Sequence, residues 1–102
     1  MYNLMIVEDD PLVRESLVHT IDWEKIGFRV TCSVSSGQEA LSMIAVNSID
    51  VVLVDIVMPG MNGLEFISKV KSMRRGILFV ILSGYSEFKY AQQAISLSVY
   101  AY

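Results

Sequence analysis

Three short, uninterrupted apolar runs constrain the fold more than anything else in the chain: Leu4-Met5-Ile6-Val7, Val51-Val52-Leu53-Val54 and Ile77-Leu78-Phe79-Val80-Ile81-Leu82. None alternates with polar residues, so a strand built from any of them must be covered on both faces. That condition is met in a parallel sheet flanked by helices. A weaker strand is expected over Arg29 to Val34, where β-branched residues recur. The intervening segments read as helices. Pro11 opens one that continues through Val18. Ser36 caps a second over Gly37 to Ile44, with Glu39 placed as a capping box requires. Asn62 or Gly63 starts a third, with Leu64, Ile67 and Val70 facing inward. Ser86 caps a fourth, running through Ala91, Ala94 and Ile95. Tyr100-Ala101-Tyr102 reads as the opening of a fifth strand that stops short. Strands alternating with helices make an α/β fold with right-handed crossovers, a doubly wound parallel sheet.

The length, 102 residues, suits one domain, and 53% hydrophobic residues with 19% charged ones suit a packed core. A formal net charge of -3 argues against nucleic-acid binding by this piece alone, because phosphate backbones require a basic surface. No apolar run is long enough to span a bilayer, and Met1-Tyr2-Asn3 lacks the features of a signal peptide. A single cysteine, Cys32, excludes an internal disulfide. These features together point to a cytoplasmic protein with no membrane partner.

Open parallel sheets place their sites beyond the C-terminal ends of the strands. There the sequence puts Glu8-Asp9-Asp10 after the first run, Asp55 after the third strand, and Ser83-Gly84 after the fourth. The first and third strands are neighbours in a common doubly wound order, so their acids are expected to converge. Crowded carboxylates repel one another, and a hard divalent cation relieves that repulsion. Magnesium fits best, since it takes one or two carboxylates and fills its remaining positions with water and phosphate oxygens. A carboxylate nucleophile giving an acyl phosphate is established covalent chemistry, and the Ser83 hydroxyl could steady the transferred group. Each feature also has a plainer reading. An acidic triplet suits a helix N-terminus, and a lone Asp or Ser at a strand end is commonly a cap or turn residue.

Ile6-Val7-Glu8-Asp9-Asp10-Pro11, Val54-Asp55-Ile56-Val57-Met58-Pro59-Gly60-Met61-Asn62-Gly63 and Leu82-Ser83-Gly84-Tyr85 closely resemble the motifs of bacterial response-regulator receiver domains. The resemblance covers residues 1–102 in order. It implies a CheY-like, flavodoxin-like sheet of strand order 2-1-3-4-5, here with the fifth strand and fifth helix incomplete. It also implies Asp55 as phosphoacceptor, Asp9 as direct magnesium ligand, Glu8 as its partner and Val57 as donor of a backbone carbonyl to the metal. Ser83 matches the switch hydroxyl and Tyr102 the switch aromatic. A sensor histidine kinase would be the phosphoryl source. Such a domain is a phosphoacceptor switch that assists only its own phosphorylation and dephosphorylation, and it is not an enzyme with a separate substrate. Two-component receivers regulate transcription through DNA-binding domains, and none is present in these 102 residues. Asp22-Trp23-Glu24-Lys25-Ile26-Gly27-Phe28 resembles a segment of receivers joined to AraC-type domains, and it reads equally as a surface loop pinned by Trp23 and Phe28.

The family's Lys-Pro pair and fifth helix would follow Tyr102, so the expectation is a C-terminally truncated receiver with exposed apolar sheet surface and a tendency to form homodimers or oligomers. The rival reading is a pseudo-receiver, an interaction module of the same fold that carries no phosphate. A flavodoxin-like cofactor binder ranks below both, because Glu8-Asp9-Asp10 would repel the cofactor's phosphate. Asp10 is expected to cap the first helix, His19 to sit at that helix's C-terminus, and Cys32 to be a buried small hydrophobe. The methionines are expected in the core, with Met58 and Met61 near the site.

Overall fold

The computed structural model describes residues 1–56, 58–73 and 76–82. The expected fourth helix, with Ser86, Ala91, Ala94 and Ile95, and the expected fifth strand lie outside the described residues. Four strands, β1 (Tyr2–Val7), β2 (Phe28–Val34), β3 (Val51–Asp55) and β4 (Leu78–Leu82), form one sheet in the order β2-β1-β3-β4. All three pairings are parallel. Three helices, α1 (Pro11–Thr20), α2 (Gly37–Val46) and α3 (Gly63–Met73), make the crossovers, and a 3-10 turn, Glu24–Ile26, precedes β2. The α/β doubly wound architecture read from the apolar runs is therefore the one observed. Its strand order agrees with 2-1-3-4 as far as the described residues reach.

The continuous runs are buried on both sides of the sheet. On one face Met5, Val7, Val52, Val54, Phe79 and Ile81 pack against Ala40 and Ile44 of α2 and Leu64, Phe66, Ile67 and Val70 of α3. Phe66 and Phe79 are both fully buried and meet edge to face, with centroids 6.4 Å apart. Burying one such ring stabilises the fold by roughly 1.5–3 kcal/mol, and the T-shaped contact adds to that. On the other face Leu4, Ile6, Val51 and Leu53 are covered more thinly, by Leu17 and Val18 of α1 and by Trp23 and Phe28.

The helix ends follow the sequence cues, with two adjustments. Asp10 caps α1, its Oδ1 accepting from Leu12 N at 2.9 Å. Ser36 caps α2 by accepting from Glu39 N at 3.1 Å, but the Glu39 carboxylate turns to Ser35, accepting from its hydroxyl at 3.1 Å. The reciprocal capping box occurs instead at α3. There Asn62 Oδ1 accepts from Glu65 N at 2.9 Å, and Glu65 Oε1 accepts from Asn62 N at 3.4 Å.

α1 buries none of its residues, and Leu12 is 81% exposed. Only its C-terminal half touches the sheet, through Leu17 and Val18, so the apolar face read from the sequence is half used. Cys32 is half-buried rather than buried, because β2 lies at the edge of the described sheet. Met5 and Met58 are core residues, whereas Met1 and Met73 are exposed. On β4, Leu78 is exposed and Val80 and Leu82 are half-buried.

Candidate functional site

The site begins with register. β1 and β3 run parallel, and their last aligned pair is Val7 with Val54. One step further along each strand stand Glu8 and Asp55. Neighbouring strands lie about 4.8 Å apart, so two side chains leaving at the same level must meet. The ladder holds this geometry beyond the strand ends. Glu8 N donates to Val34 O at 3.0 Å, while Asp55 remains paired with Leu82 of β4. Asp9 follows at the start of the β1–α1 turn.

Carboxylate oxygens of Glu8, Asp9 and Asp55 accordingly all lie within 4.8 Å of one another. Glu8 is 5% exposed, and Asp9 and Asp55 are half-buried. Burial pushes the Glu8 carboxyl up from its ordinary 4.5 to about 8, aided by its hydrogen bond to the Asp55 side chain and by the charges of Asp55 and Asp9. The Asp10 backbone N–H opposes this, since it favours the ionised form. Three carboxylates at this spacing, one of them desolvated, are an oxygen donor set suited to a small hard cation such as magnesium.

Of the residues proposed for the site from sequence, Glu8, Asp9 and Asp55 are brought together. Val57, Ser83 and Tyr102 lie outside the described residues. Asp10 is turned away to its capping role. The Pro59-Gly60 turn after β3 has Gly60 at φ 75°, a left-handed conformation that glycine adopts without penalty. Met58 is buried and Met61 half-buried, both against the α2/α3 core.

Two further residues shape the site, and neither was given a site role from the sequence. Arg14 on α1 donates from Nη1 to the Glu8 carbonyl oxygen at 2.7 Å, tying the acid-bearing turn to the helix that follows it. Gly63 opens α3 directly against the Asp55–Ile56 backbone and donates its N–H to Ile56 O at 2.7 Å. The spacing of Gly63 eight residues after Asp55 was visible in the sequence, but the contact it permits was not.

A doubly wound parallel sheet with an acidic cluster at the carboxyl ends of its first and third strands is an α/β module whose candidate site lies where such sheets place their ligands. Residues 4–102 match the response regulator receiver domain, and the chain belongs to that family, whose members are signalling switches. Among curated proteins, it is 33% identical over 102 residues to the uncharacterized transcriptional regulatory protein YesN of Bacillus subtilis, covering 100% of this chain and 28% of YesN. It is 38% identical over 90 residues to the transcriptional regulatory protein MalR of Bacillus subtilis, covering 85% of this chain and 37% of MalR. The chain thus spans well under half the length of these relatives. Among solved structures, the receiver domain of AraT, a response regulator from Geobacillus stearothermophilus, superposes with a TM-score of 0.91 at 33% identity, over 99% of this chain and 78% of that one. The response regulator TrrA of Thermotoga maritima, solved in complex with Mg(2+)-BeF, superposes with a TM-score of 0.82 at 25% identity, over 100% of this chain and 84% of that one.

Proposed function

We propose that this chain is the phosphoacceptor module of a two-component system, taking a phosphoryl group on Asp55 from a sensor histidine kinase. The observation that carries the reading is the convergence of Glu8, Asp9 and Asp55 at the ends of adjacent strands. Asp55 is the member of the cluster that lies within its strand, still paired with Leu82 of β4. Its half-exposed carboxylate can reach an incoming phosphorus atom, whereas Glu8 is buried behind it.

Glu8, Asp9 and Asp55 would hold magnesium, with the Val57 backbone carbonyl as a further ligand. Bound there, the cation would neutralise the acids and draw in phosphate oxygens. An Asp55 carboxylate oxygen attacks phosphorus, and an O–P bond forms as the donor's N–P bond breaks. The electron pair returns to the donor imidazole, which takes a proton. Such transfers need positioning and electrostatic support more than acid or base chemistry. Arg14, by fixing the Glu8 carbonyl, and Asp10, through its N–H on the Glu8 carboxylate, keep the acidic turn in place.

Ser83 would then donate to the phosphoryl oxygens and Tyr102 would follow it inward, biasing a two-state surface toward self-association or release of an output domain. Residues 1–102 act as the receiver unit in this reading. The relatives are transcriptional regulators, which supports a role in transcription through a DNA-binding domain of the whole protein. Membership of the receiver family supports a cytoplasmic site of action, and no helix among the described residues is long and apolar enough to cross a membrane.

The test is labelling by acetyl phosphate with magnesium present, in which acetate leaves as the Asp55 acyl phosphate forms. The wild type takes label, and Asp55→Asn takes none. Undiminished label on Asp55→Asn removes Asp55 as acceptor. A wild type that binds magnesium without taking label points to the pseudo-receiver.

A further inference from the structure

We propose that Gly63 is a positioning residue for Asp55: its missing side chain lets the first turn of α3 seat against the Asp55–Ile56 peptide and sets where the Asp55 carboxylate stands relative to Glu8 and Asp9. The inference rests on the reading of Asp55 as phosphoacceptor and names the part of the fold that aims it.

Gly63 is not there for backbone freedom. The glycines with positive φ are Gly27, Gly60 and Gly76, and Gly63 is not among them. It sits at the first position of α3, where most residues form helix better than glycine does. Space explains it. A Cβ at position 63 would lie 2.5 Å from the Asp55 carbonyl oxygen, 2.7 Å from Ile56 Cα and 3.1 Å from the Asp55 carbonyl carbon, all inside the 3.4 Å at which ordinary contact begins.

Every one of those atoms is backbone, so no side-chain rotation can relieve the clash. At Gly37, by contrast, the obstacle is the Met61 side chain, whose sulfur would be 2.9 Å away and can move. Ile56, which closes the Asp55–Ile56 peptide, is also held at both its carbonyl and its N–H. Ile56 O accepts from Gly63 N at 2.7 Å, and Ile56 N donates to Leu82 O at 3.4 Å. α3 itself cannot readily back away, because Leu64, Phe66, Ile67 and Val70 are buried in the core. A methyl group at position 63 must therefore displace the peptide that carries the Asp55 side chain, and a misplacement of about 1 Å can cost on the order of 100-fold in rate.

The experiment compares wild type, Gly63→Ala, Val70→Ala and Asp55→Asn, each as the full chain at a temperature where it is folded. Acetyl phosphate labelling rates are read across a magnesium titration. Val70 is buried on α3 away from Asp55 and controls for loss of stability alone. Gly63→Ala is expected to label roughly 10- to 100-fold more slowly at saturating magnesium, while Val70→Ala labels as fast as wild type. Equal rates in Gly63→Ala and wild type, or an equal loss in Val70→Ala, overturn the inference while leaving the acceptor reading intact. A wild type that takes no label, or an Asp55→Asn that does, overturns the acceptor reading and this inference with it. The amide resonance of Gly63 in the unmutated protein gives a second readout, independent of whether Gly63→Ala folds. It should shift as magnesium binds, whereas those of Gly27 and Gly76, which precede β2 and β4 at the opposite end of the sheet, stay put. A Gly63 amide unmoved at saturating magnesium also overturns the proposal.

Discussion

The two ends of the sheet use aspartate in opposite ways. At the N-terminal end of β3, Asp50 is fully engaged in structure. Its Oδ2 accepts from Asn3 N at 2.8 Å, its own N–H donates to Asn3 O at 2.9 Å, and its carbonyl accepts from Leu78 N at 3.0 Å. Asn3 Nδ2 adds a bond to Ser48 O at 2.9 Å. One residue thereby ties together the starts of β1, β3 and β4. At the far end of the same strand Asp55 faces Glu8 and Asp9 across less than 4.8 Å, with like charges opposed and the Glu8 carboxyl pushed up from its ordinary value. A carboxylate supplied with donors stabilises a fold, whereas carboxylates set against one another carry a repulsion that a cation would relieve.

That contrast can be broken or sharpened by experiment. The larger effect is expected at the acid end and depends on pH. Glu8 is raised from 4.5 to about 8, so the folded chain binds its proton more tightly than the unfolded chain does. The associated stability is present in full below pH 4.5 and is lost as pH rises through about 8. Thermal unfolding without divalent cations should show stability falling over that window. Glu8→Gln should flatten the slope and leave the chain more stable than wild type above the window. A slope unchanged in Glu8→Gln would assign the pH dependence to other groups. At the opposite end a smaller effect is expected: Asp50→Ala should cost about 2 kcal/mol by leaving the Asn3 N–H without its charged partner. Denaturant unfolding measures this, and magnesium affinity should not change. An Asp50→Ala chain that loses magnesium binding in proportion would mean the two ends are not independent.

Much of this was legible in the sequence, for identifiable reasons. β1, β3 and β4 were marked by unbroken apolar runs because a strand buried on both faces tolerates nothing else. Glu8 and Asp55 could be paired because each directly follows the apolar run of one of two neighbouring parallel strands, and those runs set the register. The residues missed depend on distances between segments far apart in the chain. The turn of Glu39 toward Ser35 depends on side-chain placement that the S-x-x-E spacing leaves open. The exposure of Leu12 depends on how far α1 reaches along the sheet. Gly63 read as a helix start, and its closeness to the Asp55 carbonyl appears only once α3 is docked. The Asp22–Phe28 segment read equally as one resembling receivers joined to AraC-type domains and as a surface loop pinned by Trp23 and Phe28, and the pinning contacts are present. Trp23 donates from Nε1 to Leu17 O at 2.8 Å and meets Phe28 edge to face.

The central claim is that Glu8, Asp9 and Asp55 act as one cation-holding unit while Asp50 does not. Melting temperatures at pH 8.5, with and without saturating magnesium, test it most directly in wild type, Asp9→Asn, Asp55→Asn and Asp50→Asn. Magnesium should raise the melting temperature of wild type and Asp50→Asn by the same several degrees and leave Asp9→Asn and Asp55→Asn almost unmoved. An equal magnesium response in all four proteins would contradict the account.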